Sequence, residues 1–140
     1  MTFVLTIHSI VRWLTVLVAA VLIVKFTLGW LKRQPFDKAA RALSGAFGGL
    51  MDTQLLLGLI FFIWNGSLIE GGFALRQRWE HLGVMLIAVI VAHLSAMWKK
   101  KDDTTRYRNT LITVLVSLAL IILGVTALSG NRWLHIKGLF

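Results

Sequence analysis

The chain has 140 residues, of which 57% are hydrophobic and only 15% are charged. Because soluble domains carry about 25% charged residues, this composition excludes an ordinary soluble protein and predicts one membrane domain over residues 1–140. The sequence contains no cysteine, which excludes disulfides, iron–sulfur ligation and thiolate metal sites.

Four apolar stretches follow one another along the chain, at residues 4–31, 43–64, 79–98 and 111–128. Each is long enough to cross a hydrocarbon core of about 30 Å as a helix of ~20 residues. A chain that crosses four times reverses at every crossing, so helices one and three face each other diagonally across the core. The sequence therefore predicts an all-α polytopic membrane protein, a four-transmembrane-helix up-down bundle.

Local chemistry indicates where the helices begin and end. Pro35 and Asp37 are typical of the start of a helix leading into the second span, and residues 102–105 (Asp-Asp-Thr-Thr) offer caps for the fourth. Asn65-Gly66 and residues 129–131 are turn formers, which we expect to end helices two and four. The N-terminus lacks a basic leader followed by a short apolar run, so the first helix is expected to be retained.

The two halves of the chain show a weak internal similarity. A shift of 66 residues places Arg12-Trp13 on Arg78-Trp79 and Gly58 on Gly124. Such matches are compatible with a doubled two-helix hairpin, and also with chance alignment of two apolar helices.

A small-xxx-small pair, Gly45 and Gly49, allows close approach of another helix backbone. We expect this pair to pack inside the bundle. A homodimer face is the alternative use.

The net charge is +9, and the basic residues cluster in short loops beside the apolar stretches. This placement favours contact with anionic lipid over nucleic-acid binding. The loops after the first and third stretches carry nine Lys/Arg, against five on the other side of the membrane: Arg12, Arg76, Arg78, Arg132 and Lys137. Because short loops rich in Lys/Arg stay in the cytoplasm, we expect an integral membrane protein with both termini outside.

Three histidines, His8, His81 and His135, are predicted at the outer face. His8 and His81 open the first and third stretches, so they would stand at matched depth on diagonal helices. Two neutral imidazoles placed in this way could ligate a haem iron axially, with Arg12 and Arg78 pairing with the propionates.

The space for such a macrocycle would come from the small residues Gly83, Ala19 and Ala88. The alternative is that His8 and His81 are interfacial histidines bonded to loop backbone or water, and that His135 is a solvated residue of a polar tail.

A second polar cluster is predicted from Lys25, Asp52 and His93, about 8–13 Å in from the cytoplasmic side at ~1.5 Å per residue; Gln54 follows closely. An aspartate at that depth is costly, so it is either protonated or paired with Lys25 or His93. The cluster is compatible with a structural ion pair, a proton path or the polar end of a quinone pocket. Lys25 could instead extend to the headgroups.

His81 and His93 cannot share one metal. They are twelve residues apart on one helix, which separates them by about 120° around the axis and ~18 Å along it. The sequence therefore predicts one haem b at most, on the outer side.

Three motifs resemble those of small four-span bacterial membrane proteins described as cytochrome b-like. His8-Ser9 with Arg12-Trp13-Leu14 resembles their HSxxRWL opening, and residues 52–59 are similar to their (H/D)xQLLLGL segment. Glu80-His81 with Met85 is similar to their EHxxxM segment. The resemblance implies four helices and a redox association. Asp52 stands where some members have histidine, so no ligand is implied on helix two.

The sequence leaves three functions open. The first is a haem b-binding cytochrome or cytochrome-like subunit that passes electrons within the membrane, to or from quinone. The second is a non-catalytic accessory subunit of a larger respiratory or photosynthetic membrane complex. The third is a small proton-coupled carrier that uses Lys25, Asp52 and His93.

Overall fold

The computed structural model describes residues 2–68, 71–74 and 76–126 of the chain. The described part is all-helical, with α1 Thr2–Leu31, α2 Lys38–Leu68, α3 Arg76–Ala92 and α4 Asp103–Thr126. A 3-10 turn at Gly72–Ala74 precedes α3, and a 3-10 segment at His93–Trp98 continues it. Four helices, the third counted with its 3-10 extension, are long and apolar enough to cross a membrane. The predicted all-α integral membrane protein is confirmed.

The helices form a ring in chain order. α1 packs against α2 and α4, and α3 packs against the same two helices. α1 and α3 therefore stand on one diagonal of the bundle, as an up-down connectivity predicts. The connections 32–37 and 99–102 lie at one end of the bundle, called the inner end below, and the connection from α2 to α3 lies at the outer end.

Two acidic residues begin helices as predicted. The Ala40 amide donates to Asp37 Oδ1 at 2.8 Å, and the Thr105 amide donates to Asp102 Oδ2 at 3.1 Å. Each carboxylate stands one residue before its helix and accepts a hydrogen bond from an amide of the first turn, which has no partner within the helix.

The predicted end of α2 at Asn65-Gly66 is wrong, because the helix continues to Leu68. A Cβ atom on Gly66 would lie 2.6 Å from Cε1 of Phe73. Gly66 therefore allows the Phe73 ring to approach the helix closely and does not terminate it. Residues 129–131, the predicted end of helix four, lie outside the described residues.

The third span changes its helical type near the inner end. The α-helix ends at Ala92, and six residues, His93–Trp98, continue as a 3-10 helix. The flanking residues Ala92 and Lys99 both keep right-handed helical dihedral angles, so the chain direction is maintained. The tighter winding changes the faces on which the side chains after Ala92 lie, relative to an α-helix.

An aromatic cluster of Phe26, Phe36 and Tyr107 fastens the inner end of the bundle. The three ring centroids lie 4.9–5.6 Å apart. The Tyr107 hydroxyl donates to the Pro35 carbonyl at 2.8 Å, and the Arg106 guanidinium lies 3.9 Å from the Phe36 centroid. These contacts attach the α1–α2 connection to α4.

Hydroxyl groups buried between the helices bond to backbone carbonyls. Thr15 donates to the Val11 carbonyl at 2.8 Å, within α1. Ser117 of α4 is completely buried and donates to the Ala88 carbonyl of α3 at 3.2 Å. Because a span offers little water, such bonds satisfy the hydroxyls and join neighbouring helices.

The expectation that Gly45 and Gly49 pack inside the bundle is wrong. Both are exposed, and a Cβ atom on either would meet nothing within 4 Å in the described structure. The glycine that packs inward is Gly48, where a Cβ atom would lie 3.5 Å from Cε1 of His93. One residue of helical rotation, about 100°, separates the outward and inward positions.

Acid should weaken the α2 cap. The hydrogen bond from Ala40, and after it the bond from Lys25, lowers the pKa of Asp37. Because the folded-state pKa is the lower one, this stabilisation is complete above the unfolded value of about 3.9 and is lost as the pH falls through the folded value. Asp37→Ala should therefore lower the melting temperature by a similar amount between about pH 5 and about pH 8, and by less below about pH 4.

Circular dichroism melting in detergent measures this effect. Asp37→Asn retains a capping oxygen but no charge, so its melting temperature should lie between those of Asp37→Ala and the unaltered protein. A destabilisation by Asp37→Ala that grows on acidification would contradict the expectation.

Close packing of α1 on α4 requires a glycine at position 29. A Cβ atom on Gly29 would lie 2.6 Å from Cζ of Tyr107. Gly29→Ala should therefore destabilise the bundle by roughly 1–3 kcal/mol through overpacking, less about 1 kcal/mol gained in helix propensity. Gly83→Ala is the matched control, because a Cβ atom there meets nothing within 4 Å. Equal or higher stability of Gly29→Ala in denaturant titrations would show that the ring yields freely.

Candidate functional site

Two histidines on diagonal helices come to the same level in the outer half of the bundle. His8 of α1 packs beside Gly58 of α2. On α3, Arg78 lies three residues before His81. It bonds to Phe62 of α2, which lies four residues beyond Gly58, so His81 lies near the level of Gly58. His8 and His81 lie close enough to interact electrostatically. The structure thus brings together the two imidazoles that the sequence predicts as a pair.

The ring of His8 lies against α2. A Cβ atom on Gly58 would be 3.4 Å from Cε1 of His8, so the ring lies within contact distance of this glycine. The imidazole donates a hydrogen bond to the backbone carbonyl of Gln54, one turn before Gly58. Nδ1 of His8 is buried and has no hydrogen-bond partner among the described residues. In the neutral ring, that nitrogen carries an unused lone pair.

The ring of His81 is oriented by α4. Its Nδ1–H donates to the Gly124 carbonyl at 2.7 Å. The neutral ring then carries its proton on Nδ1 and its lone pair on Nε2. A backbone carbonyl that fixes the tautomer and orientation of an imidazole is the usual support of a metal-ligating histidine.

Arg12 adds a permanent positive charge to this level of the bundle. It lies one turn after His8 on α1, and only 8% of it is exposed. Its guanidinium interacts electrostatically with both imidazoles and lies 5.8 Å from the centroid of the Trp13 ring. A buried cation inside a span is costly and is generally retained for a function or a ligand. His8, His81 and Arg12 are called the outer site below.

Gln54 lies beside the outer site and not beside Asp52, contrary to its predicted grouping. Its backbone carbonyl accepts the bond from His8, and its side-chain Oε1 is buried with no partner in the described part of the chain. Asp52 and Gln54 are two residues apart, which turns them about 200° from each other around a helix. Their side chains therefore serve opposite sides of α2.

Arg78, predicted beside a haem propionate, is directed to α2. Its Nη2 donates to the Phe62 carbonyl at 2.9 Å, and its guanidinium lies 5.1 Å from the Phe62 ring centroid. In the described structure this side chain joins α3 to α2 near the outer end.

The residues predicted to leave room for a macrocycle do not share one space. Gly83 is exposed, and a Cβ atom on it would meet nothing within 4 Å in the described structure. Ala19 and Ala88 are 0% exposed and belong to the packed core. The expectation of room beside Gly83 is wrong, since apolar faces all around a span conceal which side turns inward.

The second predicted cluster contains one close pair. His93 Nε2–H donates to Asp52 Oδ1 at 2.7 Å, which joins the start of the 3-10 segment to α2. The side chains are 49% and 58% exposed, so the pair lies on the outside of the bundle. Of the two partners that the sequence allowed for Asp52, the structure selects His93.

Lys25 has a different partner. Its Nζ lies 3.2 Å from Asp37 Oδ2, in the α1–α2 connection. The lysine thus extends toward the inner end, as a long cationic side chain in a span commonly does. The predicted set of Lys25, Asp52, Gln54 and His93 is therefore divided among three places.

The outer site offers few protein ligands. Among the described residues, no three His, Asp or Glu side chains gather as they would around a metal ion. A bare zinc ion generally needs three or four protein ligands. The two imidazoles and one arginine suit a negatively charged ligand whose metal ion already has most of its coordinating atoms.

Sequence reasoning missed three residues that support these side chains: Asp37, Gly58 and Gly124. Asp37 was assigned only as a helix cap. The glycines had a signal in the sequence, because the shift of 66 residues superposes them. Each meets a histidine of the preceding helix, His8 at Gly58 and His81 at Gly124. The internal duplication itself stays a prediction.

Comparisons of the chain with protein-family models, with curated proteins and with solved structures find no match. The resemblance to cytochrome b-like proteins therefore stays a prediction. His135, the third predicted outer histidine, lies outside the described residues.

Proposed function

We propose that this chain is a small membrane cytochrome that holds one haem b between His8 and His81. The observation that carries the proposal is the pair of imidazoles at one level on diagonal helices, each with a nitrogen available as a ligand. His81 Nδ1 is engaged by Gly124, which leaves Nε2, and His8 Nδ1 is buried without a partner among the described residues.

The donor set fits this group. Haem b carries most of the ligands of its iron itself, so His8 and His81 would suffice to hold it. Two imidazoles match that requirement, and among the described residues no group of three His, Asp or Glu side chains forms a site for a bare metal ion. Arg12 supplies a buried positive charge for a propionate. Arg78 is not needed for this role, because it bonds to the Phe62 carbonyl.

Haem b bound at this site would supply reversible one-electron chemistry. The chain's own contribution would be to orient the imidazoles through Gly124 and Gln54, to hold Arg12 in place and to surround the group with apolar helices. The described connections outside the spans are short, so we propose a redox partner within the bilayer, a quinone or another membrane subunit.

The charge distribution supports an orientation. The connections 32–37 and 99–102, with the first turns of α2 and α4, carry most of the basic residues and lie at the inner end. By the positive-inside rule this end would face the cytoplasm of a bacterial cell. The outer site would then lie toward the far side of the inner membrane.

An accessory subunit of a larger complex is the second candidate. The exposed Asp52–His93 pair favours it, because polar side chains inside a span generally contact protein, and here another helix could supply that contact. A proton-coupled carrier built on Lys25, Asp52 and His93 has less support, since Lys25 bonds to Asp37.

A reduced-minus-oxidised absorption spectrum tests the haem proposal. Protein purified from haem-replete cells should show a Soret band and an alpha band, with one haem per chain. His8→Ala and His81→Ala should each remove the bands. His93→Ala is the matched control and should retain them, because His93 lies outside the bundle, bonded to Asp52.

Chemical rescue separates ligation from folding. In His8→Gly and His81→Gly, free imidazole should restore at least part of the spectrum if each side chain acts as a ligand. Haem-free unaltered protein, or bands that survive in both alanine variants, would refute the proposal.

The orientation is tested with cysteines added to this cysteine-free chain. Lys100→Cys lies in an inner connection and Gly71→Cys in the outer connection. A membrane-impermeant thiol reagent should label Gly71→Cys in intact spheroplasts, and Lys100→Cys only after the membrane is opened. The reverse pattern would place the outer site on the cytoplasmic side.

A further inference from the structure

We propose that the inner half of α2, together with His93, is the contact surface between two copies of this chain. The surface consists of the Asp52–His93 pair and of a run of small exposed residues called the small-residue face: Ala42, Gly45, Ala46, Gly49 and Thr53.

The Asp52–His93 pair is expected to lie against protein. Asp52 is fourteen residues into α2, about 21 Å from its first residue at ~1.5 Å per residue. At that depth a carboxylate and an imidazole on a lipid-facing surface are costly, and intramembrane ionisable residues almost always face protein or water. The bond of 2.7 Å satisfies one atom of each group and leaves the rest of both side chains half exposed.

The small-residue face lies directly beside the pair. Its members recur every three or four residues, with Gly45 and Ala46 adjacent, so they form one stripe along α2. The Thr53 hydroxyl is turned back to the Gly49 carbonyl at 2.9 Å, so it projects little from the helix. Gly45 and Gly49 have nothing within 4 Å of a Cβ position in the described structure. A second helix could therefore approach the α2 backbone closely.

The other exposed faces of the bundle are different. The outward residues of α1 include many large aliphatic side chains: Leu14, Leu17, Val21, Val24 and Leu28. Those of α4 include Ile112, Leu115, Val116, Ile122 and Leu123. Such side chains suit contact with lipid tails. The inner half of α2 is thus a distinct surface, with the composition of a helix–helix contact.

A second copy of the chain fits this surface by its charge. Two copies inserted in the same orientation are related by a two-fold axis along the bilayer normal, so one patch meets itself. A pair of opposite polarity is self-complementary under that operation. The Asp52–His93 pair of one copy would lie beside the same pair of the other copy, so that the four polar side chains would cover one another at the axis. Closely approaching small-residue stripes are a common helix contact in membranes.

Disulfide trapping in native membranes tests the proposal, since the chain has no cysteine of its own. Single variants Ala42→Cys, Ala46→Cys and Thr53→Cys are oxidised in cells that co-express two differently tagged copies. Each should give a cross-linked band that contains both tags. Val24→Cys on α1 and Leu115→Cys on α4, also exposed in spans, are the controls and should stay monomeric.

A bulky substitution measures the contact independently. Gly49→Leu should weaken self-association in vesicles by about tenfold or more, because it separates the two backbones. Gly83→Leu is the matched control, being equally exposed with no neighbour at its Cβ position. Asp52→Asn should also weaken association, with the helical circular dichroism unchanged.

The outcomes distinguish the possible occupants of the surface. Cross-links on α2 to a protein of different mass would replace the homodimer with a foreign subunit and overturn the proposal. Absence of cross-links on α2, or equal cross-linking at Val24→Cys, would overturn it as well. Loss of association in Gly83→Leu as large as in Gly49→Leu would show that the small-residue face is not the contact.

Discussion

The scarcity of water inside a membrane span governs the rest of this structure. Helices satisfy their own backbone groups there, so the polar side chains decide what else must be joined. Lys25 meets Asp37, His93 meets Asp52, and His81 meets the Gly124 carbonyl. Each bond links two different parts of the chain, so the polar groups define contacts that apolar surfaces alone leave undetermined. The buried Nδ1 of His8 and Oε1 of Gln54 have no such partner in the described structure, and the proposed ligation of haem by His8 would supply one for the imidazole.

Glycines lie where the imidazoles meet the neighbouring helices. The rings of His8 and His93 lie within contact distance of Gly58 and Gly48, and the carbonyl of Gly124 accepts the hydrogen bond of His81. A residue without a side chain leaves its backbone accessible to a ring. Other glycines serve different neighbours: Gly29 and Gly66 admit the rings of Tyr107 and Phe73, and Gly45 and Gly49 face outward.

Counting residues along the chain predicts the level of a side chain along the bundle well. It predicts poorly which side of a helix faces inward. The up-down topology placed His8 and His81 at one level, and capping chemistry placed the starts of α2 and α4. Which side of a helix faces inward could not be read in the same way, because spans surrounded by lipid are apolar on every side. Gln54 was therefore grouped with Asp52, and Gly45 and Gly49 were placed inside the bundle. Rotation by one or two residues separates these positions from their true neighbours.

Histidine takes two roles in this bundle, because its side chain turns inward in the outer half and lies on the outside in the inner half. In the outer half, His8 and His81 turn inward beside a buried Arg12 and keep lone pairs available for a ligand. In the inner half, the aromatic cluster of Phe26, Phe36 and Tyr107 fills the end of the bundle with rings. His93 instead lies outside, where Asp52 accepts its Nε2–H and fixes the proton on that nitrogen. An imidazole engaged in this way is suited to join surfaces, which agrees with the proposed haem inside the outer half and the proposed second copy on the outside of the inner half.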